Sequence, residues 1–165
     1  MITLVDNFFS DKELKLIMKE VNSSADKPKW RSNMFWHKDV VKQSSAVVSL
    51  FLSKEINKII TNKFIKIKPE YKDYSYNCQF YMWYPFSYIP QHKDHRYKLA
   101  STIYLNETWD VDSGGLFYYK DKGEKYKMII PKFNSGVINT PDLLHGVTLL
   151  HPEAPYRTTI QVFGY

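Results

Sequence analysis

The chain has 165 residues, 44% of them hydrophobic and 16% aromatic, which is enough to bury the core of one domain and excludes a disordered chain. Its single cysteine, Cys78, excludes an internal disulfide and any zinc site built on a cysteine cluster. The net charge of +6 invites a nucleic-acid partner, but residues 1–99 carry 17 of the 23 lysines and arginines and 10 of the 17 acids, so the excess falls in a segment that reads as largely helical and is better taken as a solvated helix surface.

"ITLVDNFF" reads as a short strand, and Asp6 and Asn7 interrupt it well before the apolar length of a signal peptide or membrane span; a cytoplasmic protein with no membrane partner is expected. "SDKELKLIMKEV" predicts a helix. Ser10 and Glu13 have capping-box spacing, and Leu14, Ile17, Met18 and Val21 make one apolar face. After the loop "NSSADKPK", a second helix is expected within "SLFLSKEINKIITNKF", with Leu52, Ile56, Ile59 and Ile60 turned inward. From Tyr74 the period changes to two. In "YSYNCQFYMWY", Tyr74, Tyr76, Cys78, Phe80, Met82 and Tyr84 share one face, and Ser75, Asn77, Gln79, Tyr81 and Trp83 the other. "STIYLN", "GLFYYK", "KYKMII", "GVIN", "HGVTLL" and "RTTIQVFGY" continue the strands, with a hairpin turn expected at Gly123. The expected architecture is α+β, one domain over residues 1–165: a helical support region, 1–73, and a jelly-roll core, 74–165, with the helices packed on one sheet.

His-Lys-Asp occurs twice, at residues 37–39 and 92–94. On a strand, residues two apart project from the same face, so a His-x-Asp pair can reach one ion; alone, the pair is weak evidence. A third ligand has to come from a distant strand. His145, 53 residues after His92, opens one predicted strand, and Arg157, twelve residues later, opens the last. Two histidines and one carboxylate leave three sites of octahedral iron open, two for a 2-oxoacid and one for O2. An arginine at the far end of such a pocket suits a second carboxylate. His37 and Asp39 precede the strand series, so the site is assigned to His92, Asp94 and His145. His95, adjacent to Asp94 and turned the other way on a regular strand, and His151, in the loop "LLHPEAP", are weaker competitors.

"YLNETWDVDSGGLFYY", "IIPKFNSGVINTPDLLHGV" and "YRTTIQVF" together resemble the catalytic core of the prolyl hydroxylases of the Fe(II)/2-oxoglutarate oxygenase superfamily, and are especially similar to the hypoxia-inducible-factor type. The resemblance covers about residues 81–165; "ITLVDNFFSDKELKLI" is similar more weakly. It implies a double-stranded β-helix that is a dioxygenase using Fe(II), 2-oxoglutarate and O2, with ascorbate as a reductant. It implies Fe(II) on His92, Asp94 and His145, and the distal carboxylate of 2-oxoglutarate on Arg157 and Tyr104. Tyr84 would line the cosubstrate pocket, and Thr159 would take the small-residue position two after the arginine. The implied reaction hydroxylates a prolyl residue in a peptide or protein and releases succinate and CO2, and "DKPKWRSNMFWHKD" would form a flap over the peptide or else a packed strand pair. The bulky "PFSYIP" after Tyr84 and the longer gap from His145 to Arg157 depart from the pattern and bear on the substrate. Hydroxylation of a free amino acid or other small molecule is the nearest alternative. A nucleic-acid demethylase would usually carry a second arginine soon after the first, and "RTTIQVFGY" has none. A non-enzymatic jelly-roll binding module would leave the ligand set and Arg157 without a purpose.

Overall fold

A computed structural model of the chain describes residues 2–24, 30–33, 47–120 and 125–165. The elements in chain order are β1 (Ile2–Val5), α1 (Asp11–Ser23), β2 (Trp30–Asn33), β3 (Val47–Phe51), α2 (Lys54–Ile67), β4 (Tyr76–Trp83), β5 (Ile89–His92), β6 (Leu99–Tyr104), β7 (Phe117–Lys120), β8 (Tyr126–Ile129), β9 (Gly136–Asn139), β10 (His145–Val147) and β11 (Arg157–Gly164). They form a seven-stranded sheet, in the order β1-β9-β6-β11-β4-β3-β2, and a four-stranded sheet, β5-β10-β7-β8. Among the described residues, no helix is long and apolar enough to cross a membrane.

The capping box forms as its spacing predicts: the Ser10 side chain accepts from the Glu13 amide, and Glu13 Oε2 accepts from the Ser10 amide at 2.7 Å. Ile17 and Val21 are buried, Leu14 is partly buried, and Met18 stands out of the core. Ser53 caps α2, which buries Ile56, Ile60 and Phe64. Asn57 ties this helix to the sheet, its carboxamide donating to the Leu52 and Ser53 carbonyls and accepting from the Cys78 amide. Both helices pack on one face of the large sheet, against Cys78, Phe80, Leu99, Ile103, Ile160 and Val162.

Residues 1–73 contribute strands as well as helices: β1, the strand expected in "ITLVDNFF", and β2 and β3, which together extend both edges of the large sheet. Ser49, Leu50 and Phe51 are strand rather than helix, and Leu52 is buried ahead of α2. Three helix-compatible residues became strand because β3 pairs with β4 over Val47–Phe51; tertiary pairing overrode local pattern. β2 in turn pairs with β3, so part of the proposed flap segment is a strand pair. His37, Asp39, the rest of that segment and Gly123 lie outside the described residues. The strands flanking Gly123 do pair antiparallel, Lys120 opposite Tyr126.

The small sheet closes over the other face of the large one. Gln79, Tyr81 and Trp83 of β4 and Gln161 and Phe163 of β11 face Ile89, His92, Phe117, His145 and Val147 across a cavity of about 690 Å³. Gly146 sets how closely the small sheet packs, since a Cβ there would lie 2.7 Å from the Ile89 carbonyl oxygen and 2.6 Å from the Tyr118 hydroxyl. Gly146→Ala should therefore push β10 off β5 and cost roughly 1–3 kcal/mol, read as a lowered urea midpoint with an unchanged slope.

Candidate metal centre

Strand pairing brings the histidines together. His92 ends β5 and His145 opens β10, and the two are cross-strand partners with ring centroids 4.4 Å apart. Each is aimed from behind. His92 Nδ1 donates to the Pro90 carbonyl and His145 Nδ1 to the Leu143 carbonyl, both at 2.9 Å, which leaves both Nε2 lone pairs turned forward. Phe117 stacks on the His145 ring at 5.1 Å.

Asp94 lies just past β5 rather than on it. Its amide donates to the Pro141 carbonyl and its carbonyl accepts from the Tyr97 amide, so a turn, not strand alternation, presents the carboxylate. Asp94 Oδ1 is 3.7 Å from His92 Nε2, and Oδ2 is 3.4 Å from His145 Nε2. The three ligand atoms lie within 4.8 Å of one another, and this is the group among the described residues able to hold a metal ion. Two imidazoles and a carboxylate, with no thiolate near, suit Fe(II). Burial holds His145 below the usual histidine range, Asp94 opposes this and His92 adds to it, so the ring favours the neutral form that a metal needs. Asn139, which nothing local in the sequence singled out, donates to Asp94 Oδ2 at 3.2 Å. His95 is 65% exposed beside Asp142, and His151 is an exposed loop residue. Burial pushes the Cys78 thiol up to about 12, which removes it from consideration as a nucleophile or ligand.

Arg157 opens β11 and is 1% exposed. Its guanidinium lies between the rings of two flanking strands, 4.8 Å from the Trp83 centroid and 5.2 Å from that of Tyr104. None of its three nitrogens has a hydrogen-bond partner, nor has the Tyr104 hydroxyl; Ser101 Oγ is the one other such buried side-chain atom among the described residues. Burial lowers the Arg157 pKa and raises that of Tyr104, and the closeness of the two groups to each other offsets part of both shifts. A buried guanidinium left unpaired costs several kcal/mol. Its five N–H donors and the phenol match a carboxylate brought in by a ligand, so the residues present fit a 2-oxodiacid.

Thr159 is fully buried, and its hydroxyl accepts from Trp83 Nε1 and from Gln161 Nε2, each at 3.1 Å. The alternation of β4 turns Tyr81 and Trp83 to the cavity, while the Tyr84 ring, just past the strand, packs on Tyr156 at 4.8 Å. The period of two places Trp83 on the face opposite Tyr84, and is the signal in the sequence for it.

In a Mn(II) titration, His145→Ala should abolish binding, Asn139→Ala should weaken it by about 10–100-fold, and His95→Ala should leave it unchanged. Arg157→Met should make the ligand-free protein more stable, by roughly 1–4 kcal/mol, while removing the rise in melting temperature that 2-oxoglutarate gives the wild type.

A family model described as the 2OG-Fe(II) oxygenase superfamily matches residues 71–165. No curated protein matches the sequence. Among solved structures, a Pseudomonas putida prolyl-4-hydroxylase superposes with a TM-score of 0.77 at 12% identity, covering 99% of this chain and 91% of its own. A Trichoplax adhaerens prolyl hydroxylase, in complex with a hypoxia-inducible-factor oxygen degradation domain peptide fragment, does so at 0.77 and 13%, covering 99% and 83%. The non-heme alpha ketoglutarate dependent epimerase SnoN from nogalamycin biosynthesis gives 0.71 and 9%, covering 99% and 77%. At these identities the structures show a shared jelly-roll fold. The family match over more than half of the chain places the protein in the 2OG-Fe(II) oxygenase superfamily, an enzyme class that works with Fe(II), 2-oxoglutarate and O2.

Proposed function

We propose that the protein hydroxylates a prolyl residue in a peptide or protein, with His92, Asp94 and His145 holding Fe(II). Arg157 and Tyr104 take the distal carboxylate of 2-oxoglutarate. When bound, the metal and cosubstrate supply the oxidising power: 2-oxoglutarate and O2 become succinate and CO2, with one oxygen atom delivered to a substrate C–H bond. The chain's own residues do the rest. The carbonyls of Pro90 and Leu143 fix both imidazoles, Asn139 steadies the carboxylate, and the Trp83 and Tyr104 rings keep water from the guanidinium.

The observation that carries the substrate is an aromatic corner in the cavity wall beside the metal ligands. Tyr97, which closes the turn that presents Asp94, packs against Phe163 at 4.5 Å and edge-on to Tyr165 at 5.2 Å. Ring faces of this kind suit the apolar edge of a pyrrolidine. The carboxamides of Asn77 and Gln79 face the same space, and their paired donors and acceptors suit a peptide main chain. Both solved prolyl hydroxylases share the fold, and one was captured with a peptide. The small-molecule reading draws on SnoN, which shows the same fold serving a different substrate.

Fe(II) and then 2-oxoglutarate, added without oxygen, should give a visible metal-to-ligand charge-transfer band. With O2, a panel of proline-containing peptides should yield hydroxyproline by mass spectrometry, with succinate released in step. Turnover of free proline alone, with every peptide inert, would replace the peptide assignment with the small-molecule one.

A further inference from the structure

We propose that Trp83 sets the length of the 2-oxodiacid that the enzyme accepts, as a specificity-determining wall of the cosubstrate pocket; this rests on the oxygenase reading of Arg157. Three observations meet at this residue. First, Trp83 and Arg157 are cross-strand partners at the end of the β4–β11 ladder, so the indole lies beside the guanidinium by register. Second, Trp83 lines the main cavity and at the same time stacks at 4.8 Å on a guanidinium that is itself out of solvent reach. It is thus the side chain shared by the cavity and the anchor. Third, the indole is held in place. Its Nε1 donates to Thr159 Oγ1, Gln161 Nε2 donates to the same oxygen, and Gln161 Oε1 accepts from Thr102 Oγ1 at 3.0 Å. The wall is braced across three strands of the sheet and cannot swing aside without breaking that chain.

A ligand that chelates the metal at one end and meets Arg157 at the other has a fixed span to fill. On the β6 side the span ends on Tyr104, which is fully buried. Beneath the arginine stem, Gly115 and Leu150 leave no slack, since a Cβ on Gly115 would already lie 2.9 Å from Arg157 Cδ. On the β4 side the indole closes the span. A further methylene in the diacid would then have to displace the braced indole. An apolar pocket discriminates a single methylene by about 10–200-fold.

The test is equilibrium binding of 2-oxoglutarate and 2-oxoadipate to the Mn(II)-loaded full chain, wild type beside Trp83→Phe and Trp83→Leu. Binding is the readout, so no prime substrate is needed. Wild type is expected to bind 2-oxoglutarate at least tenfold more tightly than 2-oxoadipate. Trp83→Leu should shift that ratio at least tenfold toward the six-carbon acid, and Trp83→Phe, which keeps a ring over the guanidinium, by less. A gain for the longer ligand is not something a merely destabilising substitution would produce. Equal affinity of wild type for the two acids would overturn the proposal without any variant, and so would an unchanged ratio in a folded variant. A wild type that binds Mn(II) but neither diacid would bring down the cosubstrate reading of Arg157 itself, a result that the ratio distinguishes from the narrower failure.

Discussion

The register of β11 between β4 and β6 is the constraint on which both the core and the site depend. Along β11, Ile160 and Val162 point to the helices, while Arg157, Thr159, Gln161 and Phe163 take the opposite face, on which Gln161 and Phe163 line the cavity and Arg157 and Thr159 lie against Trp83. β4 and β6 repeat the division with Cys78 and Phe80 outward, Gln79, Tyr81 and Trp83 inward, and Thr102 opposite Gln161. A slip of β11 by one residue would put the Arg157 guanidinium and the Gln161 carboxamide into the helix-packed core and drop Ile160 and Val162 into the site. The amphipathic helices α1 and α2 prevent it, because they bury one parity of the sheet and so specify the other as the inner wall.

The inner wall is unlike an ordinary barrel interior. Thr102, Thr159 and Gln161 satisfy one another and Trp83, which makes a rigid polar floor. Beside it stand Arg157 and Tyr104, fully buried with their polar atoms unpaired. The contrast separates structure from function. Where the network is closed, the residues hold shape; where it is left open, a buried guanidinium carries a cost that a bound anion would offset. Rigid neighbours would make the open group selective, since a guanidinium clamped between two rings cannot follow a misplaced partner.

The metal centre is assembled from three different local devices. One histidine ends a strand, the other begins a strand paired to it, and the carboxylate comes from a turn pinned by Pro141 and Tyr97. Backbone carbonyls two residues before each histidine orient both rings, so the short strands carry their own second layer of support. Close approach of the small sheet is permitted by Gly146, next to one of the ligands.

Much of this was legible in the sequence. The capping box at Ser10, the apolar stripe of α1 and the period-two run through Cys78 and Phe80 are local patterns, each set by the geometry of a single helix or strand, and the order His92, Asp94, His145, Arg157 was legible as a motif spaced along the chain. What required the tertiary structure was everything decided between strands. The pairing that drew Val47–Phe51 into β3, the turn that carries Asp94, the reach of Asn139 to its carboxylate, and the choice of Trp83 over Tyr84 as the inward ring all depend on partners far off in the chain. Sequence fixes which faces exist along an element, because side-chain alternation is a property of one strand. Which face meets which, and whether a buried charge finds a partner there, is settled only when the sheets pack.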